Sequence, residues 1–271
     1  QGFARAHLGN ALRVIGDLPA ADHAFAVAQQ LWKAGAAAPA LLDPTRILDL
    51  EASLRRAQRR FADSLALLNE ALTQAAAGEP TARLLIKKAF TQEQQGDYPG
   101  AISSLLAAAP LLTPDCNPRL RFAQRFNLAV ALVHDGRAPE ADALLPEVRA
   151  IAQELANDLD RVRVLWLESR VAAGLGARAE AVAKLEEVHR AFVERGLAYD
   201  TALAGLELAA LYLEEGRHAE VRPLAAATET VLRAQRVQRE ALAAAWLFCE
   251  AAARDTVTLQ LVRRWKGQLA G

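Results

Sequence analysis

The chain has 271 residues, of which 52% are hydrophobic and 24% are charged, and this composition excludes a disordered protein. Its 32 basic and 32 acidic residues balance, which argues against nucleic acid as the partner, because general nucleic-acid binders carry a basic surplus. No apolar stretch is long enough to span a membrane, and the two cysteines lack the spacing of a disulfide framework, so we expect a cytoplasmic protein.

Helical periodicity runs through the chain. Apolar residues recur at spacings of three and four, as in Leu203, Leu206, Ala210 and Leu213. Alternating β-branched stretches bounded by turns do not occur in the sequence. The pattern therefore predicts an all-α fold.

Short turns of similar sequence separate the helices. They are GDLPAA at Gly16, RRFADS at Arg59, GDYPGA at Gly96, GRAPEA at Gly136, GARAEA at Gly176 and GRHAEV at Gly216. The steps between these turn residues are 43, 37, 40, 40 and 40 residues, and such regular spacing predicts a tandem repeat. Because glycine readily takes the left-handed conformation that ends a helix, we predict that each turn residue closes the first helix of a pair.

A small residue follows each of the first five turn residues by five positions. These residues are Ala21, Ser64, Ala101, Ala141 and Ala181. We expect them to open the second helix of each pair and to let the two helices pack closely.

Aligned on its turn glycine, the stretch ARAHLGNALRVIGDLPAADHAFAVAQQL resembles the tetratricopeptide repeat. That family places small residues where two antiparallel helices touch, here Gly9, Ala21 and Ala28, and large residues at Leu8 and Phe25. The resemblance covers residues 3–230. It implies an all-α, right-handed superhelical solenoid of antiparallel helix pairs.

The repeats organise the whole chain into one predicted domain over residues 1–271. Six repeats span about residues 3–34, 45–77, 81–112, 119–156, 160–196 and 200–235, and a pair of capping helices spans residues 238–270. Since the last segment has no turn glycine, we expect Arg254 and Asp255 to break it into that pair. Solenoids need a polar end cap, and Arg263, Arg264 and Lys266 suit its outer face.

Motifs of catalysis and metal binding do not occur in the sequence. It contains no GxSxG, GxxxxGK[ST] or HExxH, and its histidines and cysteines lack the spacing of a zinc site. We therefore expect no enzymatic activity, no cofactor and no metal.

A basic run, RRAQRR, contains Arg55, Arg56, Arg59 and Arg60. One interpretation is a solvated helix end, where the helix dipole favours cations. The other is a site for a carboxylate, a phosphate or an acidic partner.

The resemblance also implies where a ligand binds, because in tetratricopeptide arrays the first helix of each pair lines a concave groove. Counting back from each turn residue, the candidate contacts are Asn10, Arg13, Arg46, Asp49, Arg56, Arg83, Phe90, Phe126, Trp166 and Arg170. Aromatic residues beside arginine are typical of binding hot spots. Phe126 can instead pack inside the superhelix, and both interpretations stay open.

One of these candidates matches a specific subgroup of the family. Asn10 stands where carboxylate-clamp members have an asparagine, but Ala6 replaces their lysine. We therefore do not assign the clamp activity to this chain.

These features favour a protein- or peptide-binding scaffold. The unit of about 40 residues is similar to long-unit arrays of bacterial regulators, so we expect the sensory or interaction part of such a protein. The sequence begins with Gln1 and contains no Met, which suggests a piece of a longer chain. The alternative is a self-association module that dimerises or autoinhibits an attached effector or DNA-binding domain, and homo-oligomerisation stays open.

Overall fold

A computed structural model describes residues 1–34, 45–235 and 242–270. Its α-helices are α1 (Gly2–Val14), α2 (Leu18–Lys33), α3 (Thr45–Ala57), α4 (Phe61–Gln74), α5 (Glu79–Gln95), α6 (Tyr98–Ala108), α7 (Pro118–His134), α8 (Ala138–Leu155), α9 (Asp158–Gly174), α10 (Arg178–Glu194), α11 (Ala198–Glu214), α12 (Val221–Ala234), α13 (Ala243–Ala253) and α14 (Leu259–Ala270). Two short 3₁₀ helices cover Ala109–Leu111 and His218–Glu220. The described residues contain no strand, which confirms the all-α prediction.

None of the helices in the described ranges combines the length and the apolar composition needed to cross a membrane.

Neighbouring helices pack in pairs, as the repeat predicts. α1 packs on α2, α3 on α4, α5 on α6 and α9 on α10. The second helix of a pair also contacts the first helix of the next pair, as α4 does with α5 and α10 with α11. The second helix therefore buries one face against the first helix of its own pair and another against the first helix of the next pair. Repeat proteins build a continuous core in this way.

The chain divides into two compact units, Gln1–Ala131 (unit 1) and Leu132–Gly271 (unit 2). In unit 1 the fully buried side chains include Phe25, Leu54 and Leu84. In unit 2 they include Phe192 and Phe248. Each unit therefore has its own apolar core between its helix pairs.

The predicted turn residues share one backbone conformation. The φ angles are +90° at Gly16, +59° at Arg59, +84° at Gly96, +76° at Gly136, +81° at Gly176 and +73° at Gly216. After Arg59, the Arg60 N–H donates to the Arg55 carbonyl at 2.8 Å, just as the Asp97 N–H after Gly96 donates to the Gln92 carbonyl at 2.8 Å. This bond satisfies a carbonyl that the helix end would leave without a partner. The degenerate copy thus closes its helix as the glycine copies do.

The small residues after the turns are all inaccessible to solvent. Ala21, Ser64, Ala101, Ala141 and Ala181 are each 0% exposed. The expectation of close helix packing at these positions is therefore correct, but each is the fourth residue of the second helix and not the residue that opens it.

The first repeat departs from the family pattern at one large residue. Phe25 is buried, but Leu8 is 44% exposed. Leu8 lines a cleft open to solvent together with Val27 and Leu31. Leu8 thus faces α2 across this cleft and is only partly covered, unlike the buried Phe25.

The C-terminal helices separate at the expected point. α13 ends at Ala253, Asp255 has a φ of +53°, and α14 begins at Leu259. The first residues of the predicted capping pair, 238–241, lie outside the described residues. α14 does not continue the pattern of the other second helices, since it packs on α13 and also back onto α11, the first helix of the preceding pair.

Candidate functional site

Three first helices of unit 1 carry most of the predicted contacts. Residues spaced by three, four or seven share one face of a helix, which groups the candidates on α1, α3 and α5. We call the resulting surface the basic face of unit 1. It comprises Asn10, Arg13, Arg46, Asp49, Arg56, Arg83, Lys87, Phe90 and Glu93.

Asp49 is the buried centre of the basic face. Its side chain is 0% exposed, and Arg46 Nη1 lies 2.7 Å from its Oδ2. The ammonium of Lys87, on α5, contacts the other carboxylate oxygen. A buried charge needs such partners, because its desolvation is otherwise costly. Asp49 therefore ties the first helices of two successive repeats together.

Arg56 links the same two helices through an aromatic ring. Its guanidinium carbon lies 4.5 Å from the centroid of the Phe90 ring, a cation–π distance. Phe90 is 37% exposed, so this pair reaches the surface. Burial, and then the positive charge of Arg13, lower the pKa of Arg56 to about 10, against the opposing effect of Asp49.

Lys87 has a similar environment. Burial lowers its pKa, the charges of Arg46 and Arg56 add to this effect, and Asp49 opposes it. The cations of the basic face therefore repel one another in a partly desolvated setting. An anion placed beside them would relieve that repulsion.

Two predicted residues contact each other on α1. Arg13 donates hydrogen bonds of 3.2 and 3.0 Å from Nε and Nη2 to the side-chain oxygen of Asn10. Asn10 thus orients Arg13 rather than presenting a free amide oxygen.

The basic run has divided roles. Arg55 pairs with Asp22 and Glu51 at 2.7 Å, and Arg59 is a turn residue. Of the run, Arg56 lies on the basic face. Arg55 thus differs from the solvated helix end that one interpretation expects, and the site interpretation stays a prediction for Arg56.

Phe126 has an aromatic partner within its own helix. It stacks on Phe122, one turn earlier on α7, with ring centroids 5.3 Å apart and an interplanar angle of 28°. Phe122 is buried and Phe126 is half-buried. Phe122 therefore belongs to the packed interior, and Phe126 is partly accessible to solvent.

The last two predicted residues meet on a carboxylate in unit 2. Trp166 Nε1 donates a 2.7 Å hydrogen bond to Oε2 of Glu207, and Arg170 donates to both oxygens of Glu207 at 3.1 and 2.9 Å. The Arg170 guanidinium also lies 4.3 Å from the Trp166 ring centroid. Trp166 is 8% exposed and contacts Phe192 edge to face. Its indole is therefore a core side chain with one polar partner.

Glu207 has a second cation beside it. Lys266, on α14, lies 3.2 Å from Oε1 of Glu207. Burial alone would raise the pKa of Glu207, but the charges of Arg170 and Lys266 outweigh it and bring the pKa to about 2. The same cations, together with burial as the largest cause, lower the pKa of His134 to about 4, with Glu207 opposing.

The sequence analysis missed Lys87 and Glu207, and it placed on the outer face of the end cap a residue, Lys266, that contacts the buried Glu207. Lys87 and Glu207 stand nine residues before the turn residues Gly96 and Gly216. Each pairs with the first helix of the preceding repeat. The sequence thus contained a usable signal. It is a charged residue nine positions before the turn residue, with an opposite charge on the first helix of the preceding repeat.

Comparison with known proteins finds solved structures that resemble this chain. No protein-family model and no curated protein matches the chain. Among solved structures, it is similar to Rap protein in a complex with Competence and Sporulation Factor, with a TM-score of 0.69, 14% identity, and coverage of 89% of this chain and 69% of that one. The TPR2AB domain of yeast Sti1, solved as a pHSP90 complex, aligns over 98% of both chains at 15% identity, but its TM-score is 0.35. The similarity to Rap protein and the packing of the helices in pairs confirm a tetratricopeptide-like fold.

Proposed function

We propose that the chain is a protein- or peptide-binding scaffold whose basic face binds an acidic segment of its partner. The observation that carries the proposal is the surplus of cations on that face. Five cationic residues lie there beside the acids Asp49 and Glu93. Asp49 is already held by Arg46 and Lys87. An acidic ligand complements this surplus.

The geometry around Phe90 adds an apolar element. Phe90 is partly exposed next to the half-buried guanidinium of Arg56. Charge-assisted hydrogen bonds from arginine to a carboxylate are among the strong ones, and an aromatic anchor beside arginine is typical of hot spots. The ligand segment we propose therefore combines carboxylate side chains with one large apolar residue.

The comparison supports a binding role of this kind, since the similar structure is of Rap protein complexed with Competence and Sporulation Factor. We further propose that the chain is the sensory or interaction part of a longer bacterial regulatory protein. In this proposal it acts in the cytoplasm, without catalysis and without a cofactor.

The test uses an array of synthetic twelve-residue peptides, each with one central leucine and a number of glutamates that rises from none to four. We expect the affinity of the wild-type chain to rise with the number of glutamates and to fall with added salt, because exposed charge pairs are screened. Arg83→Glu, on the basic face, should weaken this dependence markedly.

Arg190→Glu is the matched control, since it makes the same charge change at an exposed position of α10. It should bind as the wild type does, and melting curves of both variants should show intact folds. The proposal is contradicted if peptide affinity does not depend on the number of glutamates. It is also contradicted if both variants lose the same amount of peptide affinity.

A further inference from the structure

The C-terminal helix α14 lies on a surface where the array would otherwise present first helices to a ligand. The second helix of a pair packs on its own first helix and on the next one, as α10 packs on α9 and α11. α14 packs on its own first helix, α13, but reaches back to α11 instead of forward. It therefore covers the first helices of two pairs of unit 2.

Three polar contacts fix the direction of α14. Arg263 Nη2 lies 2.8 Å from Glu214 Oε1, near the end of α11. Lys266 reaches Glu207 in the middle of α11, and the hydroxyl of Tyr199 at its start donates to the Leu269 carbonyl at 3.2 Å. The order of these contacts shows that α14 runs antiparallel to α11.

Apolar residues on the same side of α14 complete the contact. Val262 is 0% exposed and Trp265 is 6% exposed. Trp265 meets Phe248 of α13 edge to face, with ring centroids 6.4 Å apart. Leu261 and Leu269 also pack against the core of unit 2. α14 thus binds as an amphipathic helix does, with apolar anchors flanked by two basic residues three positions apart.

The carboxylate that Lys266 contacts is the one that receives Trp166 and Arg170. Through Glu207, α14 is therefore linked to Trp166 and Arg170, which the sequence assigns to ligand binding. The part of α11 beneath it carries the carboxylates Glu207 and Glu214, which complement a basic helix.

We propose that the surface of α11 and α13 that α14 covers is a second binding surface of unit 2, specific for a basic amphipathic helix of a partner protein, and that α14 is its intramolecular competitor. The partner helix carries two basic residues at i and i+3, flanked by large apolar residues, and it replaces α14 on α11. This proposal concerns unit 2 and does not depend on the acidic ligand of unit 1.

The experiment uses the full chain and a fluorescein-labelled synthetic peptide with the sequence of residues 257–270, VTLQLVRRWKGQLA. Fluorescence anisotropy measures its binding to three forms of the chain. The wild type should bind it weakly, because its own α14 occupies the surface. The double variant Arg263→Glu/Lys266→Glu replaces two ion pairs of α14 by repulsion. It should bind the peptide about tenfold more tightly, since apparent affinity rises with the fraction of chains whose surface is free.

Arg264→Glu is the matched control, because Arg264 is exposed on the same helix and undergoes the same charge change. It should behave as the wild type does. A peptide with the two glutamate changes should bind none of the three forms. Equal peptide affinity in the wild type and the double variant overturns the proposal. So does peptide binding that appears only with dimerisation, since the occupant is then a second copy of this chain.

A measurement on the wild type keeps the proposal testable if the double variant does not fold. Hydrogen exchange should show α14 amides exchanging faster than those of α11 and α13, because a competitor must be released without unfolding its site. Equal protection of the three helices would make α14 a fixed part of the core and overturn the proposal.

Discussion

The indole N–H of Trp166 donates a 2.7 Å hydrogen bond to the carboxylate of Glu207, 41 residues later in the chain. Equivalent positions of successive repeats are about this far apart, so the bond joins neighbouring first helices. The same carboxylate binds Arg170. Glu207 is 6% exposed, and its charge depends on these partners.

Replacing Glu207 should therefore destabilise unit 2 strongly. The variant Glu207→Ala leaves Arg170 partly buried without its carboxylate, and breaking a buried ion pair typically costs about 3–5 kcal/mol. Urea denaturation of the wild type and the variant measures the difference. Glu180→Ala is the control, since Glu180 is exposed and its ion pair with Lys184, at 3.3 Å, is a surface pair. A loss below about 1 kcal/mol in Glu207→Ala would contradict a structural role for this carboxylate.

The same carboxylate predicts a pH dependence. The pKa of Glu207 is about 2 in the fold, against an ordinary value of 4.5. The unfolded chain therefore binds the proton more readily, and the stabilisation is complete above pH 4.5 and is lost as the pH falls toward 2. The loss amounts to about 3 kcal/mol over this window. Glu207→Gln should flatten that part of the stability curve, and an unchanged slope would count against the assignment.

The burial of His189 predicts a second loss of stability on acidification, in a pH range above that of Glu207. Burial lowers its pKa to about 4, and its Nε2 lies 3.3 Å from the hydroxyl of Thr228. The unfolded state binds the proton first as the pH falls below the ordinary value of 6.5, so stability decreases from 6.5 toward 4. His134, whose pKa is also lowered to about 4, contributes over the same range, so His189→Gln should reduce this slope and leave the part that belongs to His134. His23→Gln makes the same substitution at an exposed position of α2 and serves as the control.

Gly9 should not tolerate even one methyl group. A Cβ at this position would lie 2.8 Å from two ring carbons of Phe25 and 3.3 Å from the Ala21 carbonyl oxygen. Phe25 is 0% exposed and cannot move aside freely, so Gly9→Ala should cost about 1–3 kcal/mol. Gly267→Ala is the matched control, since a Cβ there would meet nothing within 4 Å on α14. Alanine is the better helix former, and the control should gain up to about 1 kcal/mol. Thermal melts that rank the two variants in the reverse order would contradict the packing of α1 on α2.

Arg59 offers a stabilising change. It is the turn residue of a repeat in which the others have glycine, and its φ of +59° is strained for a residue with a Cβ. We expect Arg59→Gly to raise the stability by about 1 kcal/mol, and the reciprocal change Gly96→Ala to lower it by a similar amount. A fall in melting temperature for Arg59→Gly would show that the contact of Arg59 with the Phe61 ring, at 5.2 Å, outweighs the strain.

The sequence predicts the fold well because its local signals are strong. A turn residue must have positive φ, and even the copy with Arg59 obeys this. A small residue must stand in the first turn of the second helix, and Ser64 is buried there as fully as the alanines are. Both requirements follow from the backbone and from the space between two helices, and both act within a few residues.

The candidate site is less predictable because its contacts join different repeats. Counting from the turn finds the stripe that includes Asp49 and Trp166, but the partners of these residues lie one position off that stripe, at Lys87 and Glu207. Their orientation depends on how far one helix pair rotates relative to the next. The backward packing of α14 also depends on tertiary structure. The composition of an amphipathic helix at the end of an array does not specify which preceding helix it packs against.

The pairing of residues across repeats also restricts how this array can change its order. Asp49 faces a lysine of the following repeat, whereas Trp166 and Arg170 face a glutamate at the corresponding position. A chain with these two following repeats exchanged would oppose Asp49 to a carboxylate and Arg170 to an ammonium. The helices could form as before, but both junctions would repel. Exchanging these repeats would thus require matching changes in the adjoining units. The order of the repeats is therefore constrained by the charges that face one another between them.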